Sequence, residues 1–180
     1  MRKLLVILVL TSCSSDIVVR SDFDKSSEIL TYSRYGWLKQ EEIESRNSPL
    51  TYNELNDKRI KTAVDAGLAE KGYDLNTSDP QFLVHYHITI EERSQLIETE
   101  PYGYSSGQFW RNSHTEVRRY QEGTLILDVM DADNRELIWR GWAVSILDDR
   151  KLVTEELINE AVTEMLERFP STADPVVKYY

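Results

Sequence analysis

Residues 123–146 read GTLILDVMDADNRELIWRGWAVSI, and this stretch decides the fold. Two runs rich in β-branched, aliphatic and aromatic residues flank Asp131-Ala132-Asp133-Asn134, the composition of two strands joined by a polar turn. Period-two alternation puts Leu125, Leu127 and Val129 on one face of the first strand. It puts Leu137, Trp139, Gly141 and Ala143 on one face of the second. The large Trp139 beside the small Gly141 makes a surface onto which a helix can settle. The spacing predicts that this hairpin is the middle of a sheet. Its other face carries Ile126, Met130, Ile138, Trp142 and Val144 around Asp128 and Arg140, which is too apolar for free solvation. Asp128 and Arg140 share a parity that lets them pair across the hairpin.

Working upstream, Glu98 to Gln108 is rich in Gly, Ser and Tyr, and Thr115 to Tyr120 extends a strand into the hairpin. Phe82 to Ile90 reads as another strand, with Val84, Tyr86, Ile88 and Ile90 on one face and Leu83, His85, His87 and Thr89 on the other. Thr51-Tyr52-Asn53-Glu54 has capping-box spacing. Behind it Leu55, Ile60, Ala63, Val64, Gly67 and Leu68 recur at helical intervals, and Gly72 stands where a helix end wants a left-handed residue. The pattern predicts a helix over 52–71. Asp16 to Arg20 and Leu30 to Trp37 read as the first two strands. Downstream, Thr154 caps a helix whose buried stripe is Leu157, Ile158, Ala161, Val162, Met165 and Leu166, stopped by Pro170. The order β-β-α-β-β-β-β-α with short turns implies an α+β fold, a mainly antiparallel sheet of five or six strands with two helices packed on one face.

The start of the chain is basic (Arg2, Lys3), then apolar (Leu4 to Leu10), then small and polar (Thr11-Ser12-Cys13-Ser14-Ser15), the order of an export signal. Seven apolar residues fall far short of the ~20 that span a bilayer. Leu10-Thr11-Ser12-Cys13 resembles the bacterial lipobox. That resemblance implies cleavage before Cys13, a diacylglyceryl group on its sulfur and a further acyl chain, such as palmitate, on its amine. Two or more chains hold a protein stably on a membrane where one does not. Ser14 stands where an aspartate would retain the protein at the inner membrane, so the resemblance implies the periplasmic face of the outer membrane. The expected layout is a signal peptide at 1–12, a lipidated N-terminus and first strand at 13–28, one α+β domain at 29–170 and a tail at 171–180.

The formal net charge is −10, and removing residues 1–12, with two basic residues and no acid, makes it −12. A body this acidic repels phosphate and anionic headgroups, so neither nucleic acid nor a lipid surface is a partner through charge. With Cys13 the single cysteine, no internal disulfide forms.

Little here points to chemistry. His85 and His87, two apart on a strand, present both rings to one side and are candidate metal ligands, with Glu91 or His114 as nominees for a third. Without a defined third ligand the expectation is no metal and no cofactor. Asp128, Asp131 and Asp133 lack the glycine and terminal glutamate of a calcium loop, and turn chemistry accounts for the last two. No nucleophile elbow and no phosphate-cradling glycine loop occurs. Tyr102, Tyr104, Phe109 and Trp110, together with Trp142, are a possible interaction surface, with the aromatic segment expected to fold over the Asp128 face.

Further features coincide: Thr31-Tyr32 with Trp37, Lys71-Gly72-Tyr73, Pro80 ahead of Val84-His85-Tyr86-His87, Gly123-Thr124-Leu125 with Asp128, Leu137-Ile138-Trp139-Arg140-Gly141, and Phe169-Pro170. With the lipobox, they resemble the bacterial envelope lipoproteins grouped as domain-of-unknown-function family 4136. The resemblance implies a location and an α+β fold but no reaction. The expected function is therefore non-enzymatic: a lipid-anchored periplasmic protein acting through contacts with an envelope protein in assembly or maintenance. The alternative is a carrier or sensor of a small apolar ligand held between the sheet and the aromatic loop.

Overall fold

A computed structural model describes residues 17–38, 54–99, 114–147 and 153–171. The elements are β1 (Ile17–Phe23), β2 (Arg34–Trp37), α1 (Glu54–Glu70), β3 (Asp74–Leu75), β4 (Phe82–Thr99), β5 (His114–Asp131), β6 (Leu137–Leu147) and α2 (Glu155–Glu167). They form an α+β fold with one six-stranded sheet in the order β1-β6-β5-β4-β2-β3. The β5–β6 hairpin has a neighbour on each side. The sheet is mixed rather than mainly antiparallel. β1–β6, β6–β5 and β5–β4 are antiparallel, whereas β2 runs parallel to both β4 and β3. The cause is α1, which lies between β2 and β3–β4 in the chain and returns it in its original direction, as a parallel pair requires.

Both helices bury their stripes in one core with Val84, Leu127, Val129, Trp139 and Ala143 of the sheet. From α1 come Ile60, Val64 and Leu68, and from α2 Ile158, Ala161, Val162, Met165 and Leu166. Gly67 lets the helices meet closely, since a Cβ there would lie 2.5 Å from Leu166 Cδ1. Gly72 ends α1 at φ 87°, and Tyr73 turns back into the core against Phe82 and Phe169. Tyr86 Oη donates to Asp57 (2.7 Å), while Tyr35 Oη and Trp37 Nε1 donate to Asp65 (2.7 and 3.0 Å), pinning α1 over β2 and β4. Thr154 caps α2 by accepting from the Leu157 amide. Thr51 lies outside the described residues.

Among the described residues Trp139 is the largest fully buried side chain, and it lies edge-on to Phe169, with centroids 5.0 Å apart. Its indole reaches back over Gly141, where a Cβ would sit 2.3 Å from Cη2. The expectation that Leu137 shares this face fails. Leu137 is 45 % exposed, and Ile138, expected on the opposite face, is in the core. A register shift explains both: Val129 pairs with Trp139 but Met130 with Leu137, leaving Ile138 as an extra residue. Such a bulge re-aims side chains relative to strict alternation. The turn is also longer than four residues, running 132–136 with Arg135 at φ 64°.

Two further differences concern strand lengths. Leu30 to Trp37 is not one strand, because Ile29–Thr31 forms a single 3-10 turn that carries Ile29 into the core and leaves Leu30 exposed. The element order matches the sequence reading, but by different strands: Thr115 to Tyr120 is continuous with the hairpin as β5, and the two-residue β3 completes the count. β4 is twice its expected length, pairing with β5 without interruption from Phe82↔Asp131 to Thr99↔His114. Because β6 reaches only Gln121, the seven outermost pairs form a two-stranded arm that extends roughly 23 Å past the sheet at ~3.3 Å per residue.

No helix among the described residues is long and apolar enough to cross a membrane.

Candidate functional site

The helix-free face of the sheet carries a transverse row of polar side chains set by register alone. Asp22 pairs with Arg140, Arg140 with Asp128, and Asp128 with His85. The next row along the strands is Arg20, Trp142, Ile126 and His87. Directly paired residues point to the same face of a sheet, so four strands deliver these groups without any special loop.

Asp128 is the hub and is 5 % exposed. Arg140 grips it in a two-pronged bond, Nε donating to Oδ1 at 2.6 Å and NH2 to Oδ2 at 2.7 Å. This contact raises the Arg140 pKa further above its ordinary value, against a smaller opposing effect of burial. His87 Nε2 lies 3.7 Å from Asp128 Oδ2. The rings of His85 and His87 stand nearly perpendicular, centroids 4.1 Å apart. His85, 8 % exposed, has its pKa pushed down to about 4: burial is the main cause, His87 adds to it, and Asp128 opposes it. The imidazole is therefore neutral at pH 7, with a lone pair on one ring nitrogen.

One ligand-type atom from each of His85, His87 and Asp128 lies within 4.8 Å of the others. The third group beside the histidine pair is thus Asp128, supplied by the neighbouring strand, and neither residue named from the sequence. Glu91 is ion-paired with Arg93 at 2.7 Å, and the backbone of His114 pairs with Thr99 at the far end of the arm. Sequence reasoning missed the grouping because it read Asp128 as Arg140's partner only. The available signal was the β4–β5 register, which an uninterrupted β5 fixes.

Asp131 is a turn residue. Its Oδ1 accepts from the Asp133 and Asn134 amides, and its Oδ2 accepts from the Tyr32 hydroxyl. That last bond lowers the Asp131 pKa and raises that of Tyr32 to about 12. Trp142 is half-buried on the Asp128 face. Cys13, Tyr102, Tyr104, Phe109 and Trp110 lie outside the described residues. Thr99 and His114, the ends that the aromatic segment joins, stand fourteen residues along β4 and β5 from His85 and Asp128, roughly 46 Å at ~3.3 Å per residue.

An apolar crevice of about 50 Å³ opens on the helix side, lined by Ile60, Ile88, Leu125, Leu147, Val153 and Ile158 among others. A cavity of about 150 Å³ accommodates benzene, so this one is a gap in packing.

The arm carries a second distinctive feature. Leu96 and Val117 face each other across it, 68 % and 56 % exposed. The tiers Glu92/Gln121 and Ser94/Arg119 separate them from the core.

Among solved structures, a PDZ domain protein from Parabacteroides distasonis is similar in fold, with a TM-score of 0.56 and 12 % identity over 86 % of this chain. The chain spans only 36 % of that protein's length. A family protein from Bacteroides thetaiotaomicron matches over 86 % of this chain and 96 % of its own, with a TM-score of 0.51 and 15 % identity. No curated protein matches in sequence. The family profile described as domain of unknown function DUF4136 matches residues 19–171, and with most of the chain covered, the protein belongs to the DUF4136 family.

Proposed function

We propose that this protein is a lipid-anchored, periplasm-facing envelope protein that acts through protein contacts in envelope assembly or maintenance rather than by catalysis. Cys13 is the anchor in this reading, attached through the lipobox-like Leu10-Thr11-Ser12-Cys13, and the acidic domain stands off the anionic membrane surface. The observation that carries the contact role is the β4–β5 arm. An isolated two-stranded hairpin is marginally stable in water, and an exposed apolar cross-strand pair adds nothing to its own domain's core. An arm of seven pairs with Leu96 and Val117 on one face is accounted for if a protein partner covers that face. Charges at Glu92, Arg93, Arg118 and Arg119 discourage indiscriminate edge pairing.

The test is site-specific photocrosslinking in intact cells. A photoreactive residue at Leu96 or Val117 should give a discrete adduct with one envelope protein, and the same residue at Leu75, exposed on the two-residue edge strand, should not. Adducts indistinguishable among the three positions, or none at the arm, would refute the contact role.

A further inference from the structure

We infer that His85, His87 and Asp128 form a binding site for one divalent transition-metal ion of the zinc class, with a coordination position left open toward solvent. This goes beyond the contact role and does not depend on it. Two histidines two apart on β4 and an aspartate opposite one of them on β5 place their ligand atoms within 4.8 Å of one another. Metal–ligand bonds of about 2.0–2.1 Å in a tetrahedron separate neighbouring ligand atoms by about 3.4 Å. His87 Nε2 and Asp128 Oδ2 are already 3.7 Å apart, so closure on an ion needs side-chain adjustment and no change in the ladder.

The surroundings suit the role. His85 is more than nine-tenths buried, and within the described residues its ring meets the rings of Tyr86 and His87, with no hydrogen bond from either imidazole nitrogen. A neutral imidazole nitrogen that makes no hydrogen bond keeps its lone pair for a metal ion. Arg140 fixes the carboxylate plane from the opposite side, as an outer partner orients a ligand, and each carboxylate oxygen keeps a lone pair beyond the one Arg140 uses. Strand-borne ligands are held more precisely than loop-borne ones. Two imidazoles and one carboxylate without thiolate favour zinc, copper, nickel or iron over calcium or magnesium, which take all-oxygen shells. His87, with a third of its side chain exposed, leaves the fourth position facing water.

The test uses the full chain, purified without a polyhistidine tag, stripped with chelator and titrated calorimetrically with zinc chloride. One equivalent should bind with a dissociation constant in the micromolar range or tighter. His87→Ala, on the more exposed ligand, should weaken binding at least tenfold, while His114→Ala leaves it unchanged. Cobalt(II) should give d–d absorption bands in the parent protein that His87→Ala abolishes, with near-ultraviolet circular dichroism showing the variant folded. No saturable one-equivalent binding, equal affinity in His87→Ala, or loss of binding in His114→Ala would each overturn the assignment.

Discussion

Gly141→Ala offers a direct test of how the sheet accepts its central aromatic. The added Cβ would lie 2.3 Å from Trp139 Cη2 and 2.9 Å from Cζ2, both inside any tolerable contact. The indole cannot swing freely, because it is 1 % exposed and wedged edge-on against Phe169. Overpacking of this kind costs ~1–3 kcal/mol, and the closeness here puts the expectation near the upper end. For a chain of this size that lowers Tm by roughly 4–10 °C. Trp139→Ala alone should cost ~3–5 kcal/mol by deleting a core aromatic. The double variant is the informative one: with the indole gone, Gly141→Ala should be neutral or stabilise by up to ~1 kcal/mol, since alanine is less costly than glycine in a strand. Urea denaturation followed by far-ultraviolet circular dichroism measures all three. A coupling energy of about 2 kcal/mol or more is expected, and strictly additive costs, within about 0.5 kcal/mol, would refute the contact.

Other expected outcomes follow from the same geometry. In chelator-treated protein, Arg140→Met should cost about 2 kcal/mol by leaving the buried Asp128 carboxylate without its charge partner. The figure is held below that of a fully buried pair because Arg140 is itself half-exposed, and denaturation of Asp128→Leu/Arg140→Met should recover most of the loss. Tyr32→Phe should change the pH dependence of Tm at both ends. The Tyr32 pKa is raised from 10 to about 12, so its stabilisation is complete below pH 10 and lost as pH rises toward 12. The Asp131 pKa is lowered, first by Tyr32 and then by the Asn134 and Asp133 amides, so its contribution is present above pH 3.8 and lost as pH falls through the depressed value; the variant should lack the alkaline loss and keep a smaller acid loss from the two amides. Cys13→Ala should leave the domain folded, since the described core begins downstream, while fractionation finds the protein released from membranes.

The sequence alone determined the periodic elements: the α1 and α2 stripes, the Thr154 cap, the Gly72 stop and the alternating Leu125, Leu127 and Val129. Each follows from a local rule relating residue spacing to the face that is buried, and tertiary packing confirmed them except at Leu55, which the sequence placed in the α1 stripe and which is 62 % exposed in the first turn, where Asn56 is buried instead. The register shift at Ile138 was illegible because a one-residue insertion in a ladder depends on how the partner strand lies, and two apolar neighbours, Leu137 and Ile138, fit either parity. The parallel entry of β2 was illegible for a related reason, as four residues of strand do not encode which neighbour they join. Tertiary structure also decided the site. His85 and His87 are neighbours by alternation, a property of one strand, but Asp128 reaches them only through pairing between residues 43 apart in sequence, His85 with Asp128. Chain-local patterns record which side chains share a face; which strands meet, and in what register, is fixed by the global fit of the core.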